Sequence, residues 1–331
     1  MNDNISFINN QKKLLNDTLS NIINNDFILL DVPNHRNIGD TLIWQGELIF
    51  FKNLKYKLLD QYNRNTFNNR KIKSDKDVII LHGGGNFGDI YHSSQGFKLD
   101  IINKFKNNRI VIMPQTVFYN DNKNLISDMK QMSQHKDLHI CVRDQVSFDL
   151  LSKLFDVNRI YLLPDMAFFI NLDEFISNNK KGKNLVLNRT DAESTSIDHK
   201  ELPFTKIENE VVYSDWPTYN SKNKTINTMS NYVEAFEGKV TKVLKNVPGS
   251  SIIMDNAFGL KSTKNIDKYI NSGITFLNEF DEIATTRLHG AILSILLNKK
   301  VFLFDNFYGK NKNYYNTWLK EYKNVILTTD N

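Results

Sequence analysis

Val78-Ile79-Ile80-Leu81-His82-Gly83-Gly84-Gly85-Asn86-Phe87-Gly88-Asp89 is the stretch on which the fold turns. Four consecutive apolar residues without polar alternation describe a strand covered on both faces, the usual condition of a strand in a parallel sheet. The strand ends at a histidine and runs into three glycines. Glycine lets a backbone pass close to a ligand and turn its N–H groups toward an anion. No Gly-Lys-Ser/Thr follows and the G-x-G-x-x-G spacing is absent, so this is neither a P-loop nor a dinucleotide fingerprint. A tight strand-to-loop turn is the plainer use of the same glycines.

The pattern repeats on both sides. Upstream, Phe27-Ile28-Leu29-Leu30 leads through Asp31-Val32-Pro33 to Asn37-Ile38-Gly39-Asp40, then to a helix-periodic run from Leu42. Asp40 fits an N-cap there, and Gly39 a turn or a close approach. Downstream, residues 109–113, 139–142 and 160–163 are strand-like and are followed by Gln115, Arg143-Asp144 and Asp165. Such alternation predicts parallel βαβ units. Ligands of open parallel sheets bind beyond the carboxyl ends of the strands, which is where these polar residues fall. The polar stretch 177–184 reads as a linker. A second series follows at 185–187, 211–213, 251–254, 274–277, 283–285 and 301–304. Asn188-Arg189, Ser214-Asp215, Asp255-Asn256, Arg287 and Asp305-Asn306 lie after its strands. The predicted fold is α/β, with two doubly wound Rossmann-like domains, 1–178 and 185–307, facing a central cleft. Residues 308–331 follow as a C-terminal helical segment, rich in aromatics at helical spacing over 308–322.

Thr285-Thr286-Arg287-Leu288-His289-Gly290 precedes the apolar run Ala291-Ile292-Leu293-Ser294-Ile295-Leu296-Leu297. A helix there puts Arg287 and His289 at its N-terminus, where free N–H groups and the dipole collect anions. The guanidinium adds a fork for carboxylate or phosphate, and the imidazole adds a proton that moves near neutral pH. A surface arginine and a capping histidine are the alternative. A salt-bridged strand end at Arg143-Asp144 and a turn carboxylate at Asp165 are likewise open, as are surface roles for Arg189 and Lys310.

Length and composition bound the rest. A chain of 331 residues suits two domains of ordinary size. The single cysteine, Cys141, sits in an apolar run and has no partner in the chain, which fits a reducing, cytoplasmic setting. No signal peptide and no apolar run long enough for a membrane span are evident. The net charge of +5 suits anionic substrates or contact with the inner face of a membrane, and no basic stripe interleaved with aromatics points to nucleic acid. The histidines have no metal-site spacing, so no metal is expected.

Taken in order, Asn37-Ile38-Gly39-Asp40, His82-Gly83-Gly84-Gly85-Asn86, Pro114-Gln115-Thr116, Val142-Arg143-Asp144-Gln145-Val146-Ser147, Leu163-Pro164-Asp165-Met166-Ala167-Phe168 and Thr286-Arg287-Leu288-His289 resemble the polysaccharide pyruvyl transferase family. The third stretch departs from the commoner form, which continues with Gly-Pro. The resemblance implies a GT-B-like architecture in which residues 308–331 cross back to the first domain. It implies transfer of the enolpyruvyl group of phosphoenolpyruvate to a sugar of a cell-surface polysaccharide or its precursor, closing a pyruvate ketal. Phosphoenolpyruvate is then the donor substrate, no cofactor is needed, and a saccharide or lipid-linked oligosaccharide is the acceptor. The resemblance places donor-binding and catalytic roles on Arg143, Arg287, Leu288 and His289, with His82 and Asp40 near the site and a lysine at Lys310. Gly83, Gly84, Gly85 and Asn86 complete the expected substrate-binding set, on the acceptor side.

The chemistry needs an acid for the methylene carbon and a base for the sugar hydroxyls, and histidine suits both. His289 is expected to be the donor, kept protonated by the bound trianion, and His82 to meet the sugar hydroxyl. Trp216 and Tyr219 are candidate sugar platforms, with buried packing as the other role for Trp216. A nucleotide-sugar glycosyltransferase of the GT-B class and a non-catalytic sugar- or anion-binding protein are the competing functions.

Overall fold

The computed structural model describes residues 2–177, 179–189, 202–219 and 264–328, with scattered positions between 232 and 247. The strand expected at 251–254 and Asp255-Asn256 lie outside them. The described chain builds two parallel sheets. The first contains β1 (Phe27–Leu30), β2 (Leu58–Tyr62), β3 (Val78–Leu81), β4 (Gly84–Gly88), β5 (Ile110–Phe118), β6 (Leu138–Val142) and β7 (Ile160–Leu162). Its order is β2-β1-β3-β5-β6-β7, with β4 continuing β3 alongside the far half of β5. The second contains β8 (Lys183–Leu187), β9 (Glu210–Ser214), β10 (Glu282–Thr285), β11 (Lys300–Phe304) and β12 (Val325–Thr328), in the order β12-β11-β10-β8-β9. The chain is thus an α/β protein with two Rossmann-like parallel sheets.

Among the described strands, each sheet reverses its winding once. In the first sheet the chain leaves β1 for β2 on one side and β3 on the other; in the second it leaves β8 for β9 and then β10. These are switch points, where the connections diverge and open a crevice. Asp31 and His82 follow β1 and β3, while Asn188-Arg189 and Thr286-Arg287 follow β8 and β10. The strands themselves are the expected apolar runs: β1, β3 and β10 are buried at every residue.

The fully described α-helices are α1 (Asn2–Ile22), α2 (Ile38–Phe51), α3 (His92–Lys104), α4 (Asn122–Met132), α5 (Gln145–Ser152), α6 (Lys264–Leu277), α7 (Leu288–Leu296) and α8 (Lys310–Tyr314), the last continuing into a π-helical turn, Tyr315–Leu319. Three local expectations need correction. The N-cap of α2 is Asn37, whose side chain accepts from Gly39 N–H at 2.9 Å; Asp40 lies in the first turn instead. Residues 274–277, expected as a strand, are the last turn of α6. Ile266, Ile270, Ile274 and Leu277 are all buried, and spacings of four, four and three residues place them on one helical face. Pro114-Gln115-Thr116, expected just beyond a strand ending at residue 113, is the middle of β5, with a register shift between Ile112 and Gln115 that accommodates the missing proline N–H.

One core runs through both halves. It takes Ile38, Leu42 and Ile43 of α2, Ile266 and Ile270 of α6, and the apolar residues of α7. All nine residues of α7 are buried. At roughly 1.5–3 kcal/mol for each fully buried Leu or Ile, the helix carrying His289 is firmly anchored. The end of the chain is helical only over residues 310–319 and then returns as β12 to the second sheet, and its helical part bridges the halves. Trp318 Nε1 donates to Arg143 O at 2.9 Å, Gln145 N–H to Thr317 Oγ1 at 3.0 Å, and Asp165 N–H to Tyr314 Oη at 3.1 Å.

Candidate active site

A cavity of about 390 Å³ lies between the carboxyl ends of the two sheets. From the first half it is lined by Asp31, Gly39, Asp40, His82, Gly83, Gly85 and Asn86, and from the second by Arg189, Tyr219, Arg287, Leu288, His289 and Lys310. Nearly every expected site residue therefore meets in one place. Arg143 and Gly84 are the two that do not line it.

Arg143 is fully buried at the end of β6, beneath the glycine segment. Its Nε donates to Thr116 Oγ1 at 3.0 Å and its Nη1 to Asp165 Oδ2 at 2.5 Å. Its Nη2 has no hydrogen-bond partner among the described residues. A Cβ on Gly85 would stand 3.4 Å from that Nη2 and 2.9 Å from Lys310 Nζ. The absent side chain of Gly85 is the space that these two cations use. Gly84 has φ +129, a value that L side chains rarely adopt. Gly83 does not offer its N–H to the cavity, because that group donates to Glu47 Oε1 at 2.9 Å. Asn86 is held from behind by Lys98, whose Nζ donates to its carbonyl oxygen and its Oδ1 at 3.1 and 2.6 Å. The glycine segment is thus a strand braced by buried polar groups rather than an open loop of free N–H groups.

Glu47 was not legible as a site residue. It is fully buried on α2, with Oε2 2.7 Å from His82 Nδ1. Nε2 of His82 has no partner among the described residues. Burial works against charge on this ring, but Glu47, followed by Asp40 and Asp31, holds its pKa above the ordinary histidine value. His289 differs. Its Nε2 lies 3.2 Å from Asp165 Oδ2, and a Cβ on Gly39 would stand 2.7 Å from its Nδ1. Gly39 therefore lets the start of α2 press against the imidazole. Burial lowers the His289 pKa, Arg143 adds to that, and Asp165 and Asp40 do not make up the difference. Burial pushes Asp165 up as well, yet His289, Arg143 and the Ala167 N–H hold it well below the usual carboxylate range. An ionised carboxylate only accepts, so Nε2 of His289 carries the proton and Nδ1 the lone pair. The expectation that His289 is the protonated ring is not what the surrounding charges favour before any anion binds.

Arg287 caps α7 at the mouth of the cavity. Its Nε and Nη2 meet Asp215 Oδ1 and Oδ2 at 2.6 and 2.7 Å, a buried bidentate pair. The fork expected to grip an anion thus already holds a carboxylate, while Arg287 still lines the cavity. Its guanidinium carbon lies 5.8 Å from the Tyr219 ring centroid. Trp216 is fully buried and packs into the core, yet it borders the cavity wall beside Tyr219. Asp40 is half-buried, with Oδ2 3.5 Å from His35 Nε2. Burial raises its carboxyl, but His35, His289, His82 and Lys310 together leave its pKa below the ordinary value. Asp165 serves two ends, as the turn cap that accepts from Ala167 N–H at 3.0 Å and as the link between Arg143 and His289.

Cations, a helix N-terminus and two histidines meet at facing switch points, an arrangement able to hold a small anion and move a proton on it. The family model for polysaccharide pyruvyl transferase matches residues 37–306, and the chain belongs to that family. The EpsO protein of Bacillus subtilis (strain 168) is 31% identical over 300 residues, covering 89% of this chain and 86% of its own. Pyruvyl transferase 1 of Schizosaccharomyces pombe is 26% identical over 317 residues, covering 88% of this chain and 69% of its own. A crystal structure of an uncharacterized protein from Klebsiella pneumoniae subsp. pneumoniae NTUH-K2044 superposes with a TM-score of 0.62 at 21% identity, over 97% of this chain and 99% of that one, so it shares the fold. No described helix is long and apolar enough to cross a membrane.

Proposed function

We propose that the protein moves the enolpyruvyl group of phosphoenolpyruvate onto a saccharide and closes it to a pyruvate ketal. The observation that carries this reading is the meeting of Arg189, Arg287 and Lys310 with His82 and His289 around one cavity of about 390 Å³. Phosphoenolpyruvate is small and carries up to three negative charges, so it asks for clustered cations and a helix N-terminus. In this reading 1–178 supplies the glycine segment and the acceptor side, and 185–307 supplies the donor side. Arg287, Lys310 and the first turn of α7 hold the donor, with Arg143 below Gly85 adding charge from underneath.

His82, kept charged, gives a proton to the methylene carbon, which becomes a methyl group as C2 turns electrophilic. His289, neutral with a free Nδ1, takes the proton of the attacking sugar hydroxyl as the first C2–O bond forms. The bond between C2 and the phosphate oxygen then breaks and phosphate leaves. A second hydroxyl of the same sugar adds at C2, and its proton leaves with the phosphate. The sugar loses two protons, one to His289 and one to phosphate; His289 then releases its proton to solvent and His82 takes one up, so the net gain is one proton on the methyl group and one on phosphate. The basic excess of the chain suits an acceptor carried at the inner face of a membrane.

The test is incubation with phosphoenolpyruvate and a glycolipid fraction, read by mass spectrometry and phosphate release. A pyruvate ketal matched one-to-one by phosphate is expected. Phosphate release without a ketal contradicts the transfer.

A further inference from the structure

We propose that Glu47 is a positioning residue for the proton donor: its carboxylate fixes the His82 ring so that Nε2 faces the cavity as an N–H donor. Its chemistry rests on the pyruvyl-transfer reading, while the geometry stands without it. Glu47 sits on the buried face of α2, next to Gly46, where a Cβ would stand 1.9 Å from the Met166 carbonyl oxygen. That contact leaves the helix no room to shift. Both carboxylate oxygens are engaged, one on His82 Nδ1 at 2.7 Å and one on Gly83 N–H at 2.9 Å. One carboxylate thus sets the ring and the backbone that follows it. Gln115 Nε2 donates to His82 O at 2.7 Å and fixes the same residue from β5. The result is an imidazole held at Nδ1, on a backbone fixed at His82 O and at Gly83 N–H, whose remaining nitrogen, Nε2, is buried without a partner among the described residues. An orphaned buried ring nitrogen is costly unless a ligand completes it.

The charged groups facing His82 are Glu47 and Asp40 from α2 and Asp31 from the end of β1. Asp31 is itself paired, at 3.0 Å to Arg64 and 3.7 Å to Lys98, and Asp40 is shared with His35, His289 and Lys310. Glu47 is therefore the carboxylate committed to this ring. A buried carboxylate on one nitrogen fixes the tautomer and favours the charged form.

The test uses full-length protein labelled with 15N-histidine, with the His82 signals assigned by their loss in His82→Gln. In the wild type, His82 is expected to titrate above about 6.5, with Nδ1 keeping its proton after Nε2 has lost its own. In Glu47→Gln the titration is expected to fall by about one pH unit or more. The alkaline limb of the pH–rate profile should move with it, while KM for phosphoenolpyruvate changes by less than about twofold. A purely structural role would leave the pH profile in place. An unchanged titration in Glu47→Gln, or a wild-type His82 that titrates below about 6.5, overturns the proposal. If Glu47→Gln does not fold, the wild-type titration and its order of proton loss decide alone. A raised His82 titration in a protein that never turns over phosphoenolpyruvate supports the positioning and removes the reaction.

Discussion

His82 and His289 line one cavity, and each has a buried carboxylate on one ring nitrogen, yet their pKa values move in opposite directions. The difference lies behind the carboxylates. Glu47 shares its charge with a neutral backbone N–H, so its field falls on His82. Asp165 is shared with Arg143, whose guanidinium both takes part of that field and repels a charged imidazole. A carboxylate beside a histidine therefore does not fix its protonation state; what else that carboxylate holds decides it. The comparison yields one ring built to give a proton and one built to take it.

Removing Arg143 should break the contrast with the largest effect. Arg143→Met leaves Asp165 buried with His289 as its one cation, and loss of a buried pair costs about 3–5 kcal/mol. Denaturant unfolding measures that loss. In whatever remains folded, the His289 titration should rise toward that of His82. A His289 titration that stays low would mean burial alone sets it.

Each histidine should carry one limb of the pH–rate profile. Activity should fall as pH rises through the raised His82 pKa and as pH falls through the lowered His289 pKa. His82→Gln and His289→Gln should each slow turnover by about a hundredfold or more, and the residual profile should lose the alkaline limb in the first and the acid limb in the second. The opposite pairing would return the donor role to His289, through the charge of the bound anion.

Two glycines sharpen the comparison with smaller effects. Gly39→Ala drives a methyl group into the buried His289 ring, with Nδ1 2.7 Å away. Overpacking of this kind costs about 1–3 kcal/mol, read as lower stability and lower kcat together. Gly85→Ala meets the far end of the Lys310 side chain, its Nζ, at 2.9 Å. The lysine can swing aside, so the expected result is a severalfold rise in KM for phosphoenolpyruvate with kcat nearly kept.

Much of the frame was legible because buried parallel strands leave unbroken apolar runs, as at 27–30, 78–81 and 301–304. The residues just beyond them, His82, Arg143, Arg189 and Arg287, were legible for the same reason. Residues 274–277 were misread because Ile-Thr-Phe-Leu suits a strand locally; the register with Ile266 and Ile270 declares the helix. Glu47 was invisible because a glutamate in a helix is ordinarily solvated. Its one signal is a carboxylate flanked by Gly46 and Leu48 on the apolar face that begins at Leu42. The Asp215–Arg287 fork joins residues 72 apart in the chain, and no local pattern announces such a pair.

The donor itself is tested most directly by thermal unfolding with phosphoenolpyruvate beside a panel of nucleotide sugars. A ligand at a hundred times its Kd adds about 2.7 kcal/mol to the native state, a rise in Tm on the order of 5 °C. Phosphoenolpyruvate is predicted to give that rise, and nucleotide sugars none. A rise with a nucleotide sugar and none with phosphoenolpyruvate would contradict the account.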